Sequence, residues 1–324
     1  MKAFHFERHG GPDVLQWVDT PARDPVAGEV RIRNTAVAVN YRDILMRRGV
    51  HAVKSLPSAI GLESAGIIDA VGSGVERLRV GERVAYAAMP EGSYAEMRTV
   101  PAARVIVLPR SIDDRTAAAM MIRGMTARCL LLQTFKVKRG DSILVHAAAG
   151  GLGLIMCQWA SHLGATVIGT VSSDAKAEIA RAHGCDHPIV YTRESFAERV
   201  LKITDGEGVA VVYDSVGKAT FEDSLRCLRR RGVMASLGEA SGDPDPIPPR
   251  RLGALGSIYL THPSLSNYIA TPAELHAAAQ DLFEMVTSGK VKITISRTYA
   301  LPDAPQAHAD MEARSTAGSI VLLV

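Results

Sequence analysis

The clearest chemistry lies between Ile143 and Lys176, which read ILVHAAAGGLGLIMCQWASHLGATVIGTVSSDAK. A short apolar strand runs into a glycine-containing loop, and an apolar helix and a second β-branched strand follow. Glycines between a strand and a helix let the backbone approach a pyrophosphate, whose charge is stabilised at the helix N-terminus. The order and spacing therefore predict a dinucleotide-binding βαβ unit in which Gly150, Gly151 and Leu152 offer backbone N–H groups to the pyrophosphate.

This loop departs from the usual G-x-G-x-x-G pattern at one position. Ala148 takes the place of the first glycine, so the loop reads A-x-G-x-x-G. A glycine loop alone is a weak signal, and the alternative is a plain glycine-rich turn. The flanking strand, helix and second strand have the order of a dinucleotide site, and they favour that interpretation.

The end of the second strand indicates which dinucleotide is bound. NAD sites usually place Asp or Glu there to hold the ribose 2′-hydroxyl, whereas this chain has Ser172, Ser173, Asp174 and Lys176. Two hydroxyls and an ammonium suit a 2′-phosphate, which favours NADPH. Asp174 argues the other way, although Asp also serves as a helix N-cap. The alternative for Lys176 is a solvated helix residue.

Composition and charge exclude several classes of protein. A length of 324 residues favours two domains, and 47% hydrophobic with 22% charged residues is ordinary for a globular protein. The net charge of +3 is too small to indicate nucleic acid. No run approaches the roughly 18 apolar residues of a membrane span, and no apolar signal core opens the sequence. Four scattered cysteines favour neither disulfides nor a zinc ribbon, and they fit the cytoplasm.

Two patterns of secondary structure divide the chain. Over residues 1–121 short strands alternate with glycine turns, which predicts an irregular β-barrel. Over residues 126–261 strands alternate with helices that end at Gly164, Gly184 and Gly232, which predicts a doubly wound parallel sheet. The strand candidates of this second region are 143–147, 166–171, 188–191, 209–213, 233–237 and 257–260.

The remaining segments connect these two regions. Residues 238–256 are rich in proline and glycine, which predicts a loop. From Thr271 onward the pattern predicts helix, strand, helix and strand. This tail is too short for a domain of its own, so we expect it to rejoin the first region.

Motifs of one family are spread over the whole chain. They are His9-Gly10-Gly11-Pro12-Asp13-Val14-Leu15, Asn40-Tyr41-Arg42-Asp43, Gly61-Leu62-Glu63-Ser64-Ala65-Gly66, residues 146–153, Val212-Tyr213-Asp214-Ser215-Val216-Gly217, His262-Pro263-Ser264-Leu265 and Arg314. Together they resemble the zinc-independent, zeta-crystallin-like quinone oxidoreductases of the medium-chain dehydrogenase/reductase superfamily.

The resemblance implies an α/β fold with two domains. A GroES-like β-barrel catalytic domain would span residues 1–125, completed by 262–324. A Rossmann NADPH-binding domain with a doubly wound parallel sheet would span 126–261. The active site would occupy the cleft between them, and the family implies a homodimer in which the Rossmann sheets meet edge to edge.

Metal ligands of the zinc-dependent relatives are missing. Asn40 stands where those relatives carry a cysteine, and Leu62 stands where they carry the histidine of Gly-His-Glu. Leucine cannot ligate a metal, and an amide is a poor substitute for a thiolate. The region of residues 87–107 has no cysteine for a structural zinc lobe. We therefore predict neither a catalytic nor a structural zinc.

The lack of zinc restricts the reaction to acceptors that take up hydride easily. Quinones and α,β-unsaturated carbonyls do so, because they delocalise the developing negative charge without a Lewis acid. The resemblance implies an NADPH:quinone reductase, with an enone or 2-alkenal reductase as the alternative. Some zeta-crystallin relatives bind single-stranded nucleic acid, and only Arg226, Arg229, Arg230 and Arg231 favour that role. Such a cluster usually complements a helix dipole, so we expect a small-molecule partner and neither nucleic acid nor membrane.

The resemblance also implies which residues hold the cofactor. Tyr191 and Arg314 match residues near the cofactor phosphates, with the alternatives of a strand-end aromatic and a solvated surface charge. Ser215 and Leu237 end two strands of the predicted sheet, where such folds bind ligands. The full cofactor set is Asn40, Tyr41, Thr126, Gly150, Gly151, Leu152, Ser172, Lys176, Tyr191, Ser215, Leu237, Gly238, Pro263, Leu265 and Arg314.

Five residues are candidates for the catalytic region. Asn40 and Asp43 would shape the nicotinamide site, or one of them would cap the helix predicted over 44–48. Thr126 resembles a threonine beside the nicotinamide, with a helix N-terminal hydroxyl as the alternative. His51 is a candidate proton donor, since imidazoles titrate near neutral pH, or a loop histidine without a role. Similar bacterial enzymes carry tyrosines at the positions of Leu45 and His51, so the loss of a stacking ring at Leu45 leaves the acceptor open.

Overall fold

The computed structural model describes residues 1–88, 90–314 and 316–324 and divides the chain into two compact units. Unit 1 comprises Met1–Ile122, Ile269–Phe283 and Ile293–Val324, and unit 2 comprises Arg123–Tyr268 and Glu284–Lys292. In the described part of the chain, no helix combines the length and the apolar character needed to cross a bilayer.

The first part of unit 1 consists mainly of strands. In chain order its elements are β1 (Lys2–Phe6), β2 (Gln16–Asp19), β3 (Glu29–Val39), α1 (Tyr41–Arg47), β4 (Ser58–Ala59), β5 (Glu63–Val71), β6 (Arg83–Ala87), β7 (Met97–Pro101), β8 (Val105–Val107) and α2 (Asp114–Cys129), whose residues from Arg123 onward belong to unit 2. The alternation that predicts a strand at Glu29 is observed, because Val30 and Ile32 are fully buried while Glu29, Arg31 and Arg33 are more exposed.

Unit 2 alternates strands and helices as predicted. Its elements are β9 (Ser142–Val145), α3 (Gly151–His162), β10 (Thr166–Val171), α4 (Asp174–Ala182), β11 (His187–Val190), α5 (Phe196–Ile203), β12 (Val209–Asp214), α6 (Phe221–Arg226), β13 (Leu228–Ser236), α7 (Pro249–Ala254), β14 (Tyr259–Thr261) and α8 (Leu265–Tyr268). A π-helical turn, Leu130–Thr134, extends α2.

The tail returns to unit 1 in the predicted order of helix, strand, helix and strand. Its elements are α9 (Pro272–Thr287), β15 (Ile295–Ala300), α10 (Ala304–Glu312) and β16 (Ser319–Leu323). Antiparallel pairing of β16 with β3 completes a seven-stranded sheet of order β15-β16-β3-β5-β6-β8, with β7 also paired to β3. A separate three-stranded sheet has the order β2-β1-β4.

The sheet of unit 2 is parallel and has the order β11-β10-β9-β12-β13-β14. The chain moves outward from β9 in one direction and returns to its other side at β12, which is the doubly wound arrangement predicted. Strand residues such as Leu144, Ile168 and Val212 are fully buried, as expected when helices cover both faces.

Two predictions of local structure in unit 2 are wrong. Gly232 does not end a helix, because β13 already begins at Leu228 and includes it, so only Arg226 of the arginine cluster is helical. The predicted loop 238–256 contains α7, which begins at Pro249. Proline suits the first helical position, since it has no N–H to leave unpaired there.

Candidate functional site

Six groups of predicted cofactor residues follow the six strands of unit 2. They are Gly150, Gly151 and Leu152 after β9, Ser172 and Lys176 after β10, Tyr191 after β11, Ser215 after β12, Leu237 and Gly238 after β13, and Pro263 and Leu265 after β14. Because the strands are parallel, all six groups lie along one edge of the sheet. Open α/β sheets bind ligands at this carboxyl edge.

The loop after β9 is the predicted phosphate cradle, and its backbone geometry is as follows. The strand ends at Val145, earlier than the predicted Ala147, and Ala147 adopts a left-handed backbone with φ of +51°. The Ala148 N–H donates to the Thr170 carbonyl at 3.0 Å and so ties the loop to β10. Gly150 is the N-cap of α3, and the amides of the first helical turn have no carbonyl partner within the helix.

Two glycines allow the close packing of this loop. A Cβ on Gly153 would lie 2.4 Å from the Ala147 carbonyl oxygen, so only glycine lets α3 approach the loop this closely. A Cβ on Gly169 in β10 would lie 2.6 Å from the Ala148 Cβ. The methyl group of Ala148 therefore occupies space that Gly169 leaves open, which explains how alanine replaces the first glycine of the motif.

The segment after β10 combines a helix cap with the predicted 2′-phosphate residues. The Lys176 N–H donates to the Ser173 Oγ at 3.4 Å, which makes Ser173 the N-cap of α4. The predicted alternative of Asp174 as N-cap is therefore wrong, because Asp174 is the first helical residue. Tyr191, which follows β11, is 43% exposed.

A buried polar network joins the ends of three strands. Asp214 is fully buried and accepts from the N–H groups of Val216 and Gly217 at 2.8 and 3.0 Å. The Ser224 Oγ donates to Asp214 at 3.1 Å and lies 2.8 Å from His146 Nε2.

His146 is neutral in this network. Burial lowers the pKa of its imidazole, and the Asp214 carboxylate opposes this only in part. One neutral tautomer satisfies every contact: Nε2–H donates to Ser224 Oγ, while Nδ1 accepts from Thr170 Oγ1 at 2.9 Å. Sequence reasoning missed the roles of His146, Thr170 and Ser224. The available signal was a histidine following an otherwise apolar strand.

In unit 1, Asn40 is the N-cap of α1 and Asp43 is the third helical residue, and the two form a capping box, so the capping alternative is confirmed for both. The Asn40 backbone N–H donates to Asp43 Oδ2 at 2.8 Å, so Asp43 caps α1 from its first turn. The Asn40 amide Nδ2 donates to Glu63 Oε1 at 2.8 Å, and the Ile122 N–H donates to the other oxygen of Glu63 at 2.6 Å. Asn40 stands where the zinc-dependent relatives carry a cysteine, and here its side chain is held by the Glu63 carboxylate.

A second buried cluster lies behind α1. The Tyr94 hydroxyl lies 3.1 Å from Asp43 Oδ2 and 3.0 Å from His308 Nε2. Burial, and then the charge of Arg47, lower the pKa of His308 to about 3, so this imidazole is neutral. Arg47 is itself fully buried and pairs with Glu312 at 2.8 Å. The sequence pattern did not indicate this cluster, because its members come from distant segments.

The remaining predicted residues are distributed over both units. Leu45 is 7% exposed in α1, and the N–H of His51 donates to its carbonyl at 3.2 Å. Tyr41 begins α1. Thr126 lies well inside α2, so the alternative of a helix N-terminal hydroxyl is wrong. Arg314 follows α10 in unit 1, is exposed, and adopts a left-handed backbone with φ of +54°.

Among residues 1–88, 90–314 and 316–324, no group of three or more His, Cys, Asp or Glu side chains is arranged to hold a metal ion. The side chain of Leu62 is apolar and 2% exposed. The four cysteines are free and buried.

Comparisons with known proteins extend over the whole chain. A family model described as an alcohol dehydrogenase GroES-like domain matches residues 26–110, and one described as a zinc-binding dehydrogenase matches residues 151–283. A quinone oxidoreductase of Pseudomonas aeruginosa is 46% identical, and a 2-haloacrylate reductase of a Burkholderia species is also 46% identical. The matches cover 99% of this chain and of the first relative, and 98% of this chain and 97% of the second.

A solved structure also matches this chain over its full length. The crystal structure of Escherichia coli quinone oxidoreductase complexed with NADPH has a TM-score of 0.98 and 42% identity, and 100% of each chain is covered. These matches confirm the predicted combination of a GroES-like fold with a Rossmann fold.

Proposed function

Because the chain belongs to the quinone oxidoreductases of the medium-chain dehydrogenase/reductase superfamily, we propose that it catalyses the NADPH-dependent, metal-independent reduction of quinones. The observation that carries the proposal is the phosphate cradle after β9, in which the first-turn amides of α3 are available and Gly153 allows close backbone approach. This cradle fits the pyrophosphate of a dinucleotide.

The residues of the carboxyl edge divide the work of holding NADPH. Gly150, Gly151 and Leu152 bind the pyrophosphate through backbone N–H groups. Ser172 and Lys176 hold the 2′-phosphate, with Tyr191 beside it. Ser215, Leu237, Gly238, Pro263 and Leu265 line the site toward the nicotinamide. When bound, NADPH supplies the hydride for the reduction.

The network of His146 and Asp214 keeps two of these segments in place. Asp214 accepts from the amides that follow Ser215, and His146 directly precedes the cradle. The side chains of His146 and Asp214 are buried, and the hydrogen bonds described above are made within the protein. They therefore orient the loops rather than exchange protons with a ligand.

The remaining predicted residues concern the nicotinamide, the acceptor and the cofactor phosphates. Asn40, Tyr41, Asp43 and Thr126 shape the nicotinamide site, and Arg314 contributes to the phosphates. Leu45 and His51 line the acceptor, and bulk water or His51 supplies the protons. The donor set at Asn40 and Leu62 does not suit zinc, which supports an acceptor that needs no Lewis acid.

A second candidate substrate class is the activated alkenes. A 2-haloacrylate reductase is as similar to this chain as the quinone oxidoreductases are, and Leu45 offers no aromatic ring for stacking on a flat quinone. An enone or 2-alkenal reductase therefore remains the alternative.

We further propose that the protein is a cytoplasmic homodimer that binds no nucleic acid. Homodimers form through β14, whose Tyr259 is 61% exposed at the end of the sheet. Four buried free cysteines support a cytoplasmic location. We expect no nucleic acid partner, because the pairing of Arg226 with Asp223 and of Arg229 with Asp141 reduces the positive charge of the arginine cluster. The functional domains are 1–125 with 262–324, and 126–261.

The test is NADPH oxidation followed optically with 1,2-naphthoquinone and with a short enal, each repeated with NADH. We expect turnover with the quinone and a preference for NADPH. Faster turnover with the enal would move the assignment to the alternative reductase. Tight NADPH binding without turnover of either acceptor would contradict both substrate classes and retain only the cofactor.

A further inference from the structure

The carboxylate of Asp174 conflicts with a site for NADPH. It lies on the first residue of α4, directly beyond β10, where an acidic residue is the usual partner of the ribose 2′-hydroxyl of NAD. A 2′-phosphate carries a charge of about −1.5 to −2 at neutral pH, by analogy with other phosphomonoesters. An uncompensated carboxylate at this position would repel it.

Arg193 resolves the conflict through an ion pair. Its guanidinium donates to the carboxylate of Asp174. Arg193 follows β11, the neighbour of β10, and the parallel register pairs Val171 with Val190. Asp174 and Arg193 follow these two residues at the same distance along their chains, so the register of the sheet brings the pair together.

A second contact joins the segments that follow β10 and β11. The Thr192 Oγ1 donates to the Ser172 carbonyl at 3.3 Å. The segment that carries Tyr191 and Arg193 is therefore held against the segment that carries Ser172 and Lys176. The proposed 2′-phosphate position therefore has two cations, Lys176 and Arg193, for one carboxylate, Asp174.

We propose that Arg193 is a specificity-determining residue, which sets the preference for NADPH over NADH by neutralising Asp174. This inference rests on the proposed function, since it concerns the same cofactor. The side chains of Arg193 and Asp174 are 59% and 75% exposed, and exposed ion pairs contribute little to folding stability. The pair therefore acts on the charge of the binding site and not on the fold.

The test measures binding and not turnover. Dissociation constants for NADPH and NADH, and for 2′,5′-ADP and 5′-AMP, are determined calorimetrically for the wild type, Arg193→Gln, Asp174→Asn and the double variant. Arg193→Gln is expected to weaken NADPH and 2′,5′-ADP about five- to tenfold, because a cation is lost and a carboxylate is exposed. NADH and 5′-AMP are expected to change less than about twofold, since they lack the phosphate.

The double variant identifies the mechanism. Removing Asp174 as well is expected to restore NADPH affinity to within about threefold of the wild type, because no carboxylate is left to neutralise. Arg181→Gln is the matched control. Arg181 is an exposed arginine in α4, the helix that carries Asp174, and it pairs with Glu178. It is expected to retain both affinities.

Each contrary result has a distinct meaning. Equal weakening of NADPH and NADH by Arg193→Gln, or a double variant as weak as Arg193→Gln, would overturn the inference. A ratio of NADPH affinity to NADH affinity that Arg193→Gln leaves unchanged would overturn it while leaving the proposed function intact. A wild type without any preference for NADPH would overturn the cofactor assignment, and the inference with it.

Discussion

At the scale of single residues, the phosphate cradle depends on volumes as small as one methyl group. Ala148 stands where the usual motif has glycine, and Gly169 on the neighbouring strand provides the missing space. The residue types at these two positions therefore depend on each other. The loop motif includes Ala148 but not Gly169, so it describes only one of the two residues.

Gly169→Ala tests this pairing. The new Cβ would lie 2.6 Å from the Ala148 Cβ and 2.7 Å from the Cys185 Sγ. We expect the free energy of unfolding to fall by about 1–3 kcal/mol in urea titrations, as for other overpacked cores. Adding Ala148→Gly should recover part of the loss, because the two changes share one contact.

The control for this experiment is Gly253→Ala in α7, where a Cβ meets nothing within 4 Å. Its effect is expected to be neutral or stabilising by up to about 1 kcal/mol, from helix propensity. Equal losses at the two glycines, or no recovery with Ala148→Gly, would contradict the steric explanation.

The neutral imidazole of His308 predicts a specific pH dependence. Its folded pKa of about 3 lies below the ordinary value of 6.5, so the unfolded chain binds a proton that the folded chain does not. Stability is therefore lost as the pH falls from 6.5 toward 3, by about 1.4 kcal/mol per pH unit for this one group. His146 contributes with the same sign.

The measurement compares urea unfolding of the wild type and His308→Gln at pH 7.5, 6 and 5. The variant should show a smaller loss of unfolding free energy between pH 6 and 5, by about 1 kcal/mol. His187→Gln, at an exposed position, is the matched control. Parallel curves for the wild type and His308→Gln would show that His308 is protonated in the folded state as well.

At the scale of secondary-structure elements, the two outer strands of the parallel sheet differ. β11 contains Pro188, which removes a backbone donor and suits an unpaired edge. β14 contains no proline and exposes Tyr259 and Leu260, at 61% and 37%. Apolar edge strands of this kind pair with another chain unless they are protected.

The double variant Tyr259→Lys/Leu260→Lys tests β14 as the dimer contact. Two lysines should prevent edge pairing through charge repulsion across a two-fold axis. We expect the wild type to sediment as a dimer and the variant to shift to a monomer in analytical ultracentrifugation. Val107→Lys, on an exposed residue of the edge strand β8, is the control. A variant that remains dimeric would move the contact elsewhere.

The elements themselves were largely predictable, whereas the buried polar clusters were not. β10 was predicted with its observed limits, because its β-branched residues are bounded by a glycine turn and by Ser172. Gly232 was misread, since glycine can end a helix or lie in a strand, and only pairing with β12 and β14 decides between them. His308 and Tyr94 meet across 214 positions of the chain, and no local pattern encodes such a contact.

At the scale of the whole molecule, metal independence can be tested on the intact chain. The donor set at Asn40 and Leu62 predicts less than about 0.1 zinc per chain by plasma mass spectrometry, since a structural or catalytic site would bind one ion. Quinone-dependent NADPH oxidation should be unchanged after incubation with EDTA or 1,10-phenanthroline. Loss of activity that added zinc restores would contradict this prediction.

The placement of β16 has a consequence for how the protein is made. The ribosome releases the complete parallel sheet of unit 2 once Thr261 has emerged, but the larger sheet of unit 1 still lacks β16, which joins β15 to β3. During synthesis residues Ala36–Val39 of β3 therefore lack their β16 partner, while all six strands of the parallel sheet are already available to pair. Nascent chains stalled between Thr261 and Ser319 therefore expose this part of β3 to pairing with other chains, and the parallel sheet is completed before the sheet of unit 1.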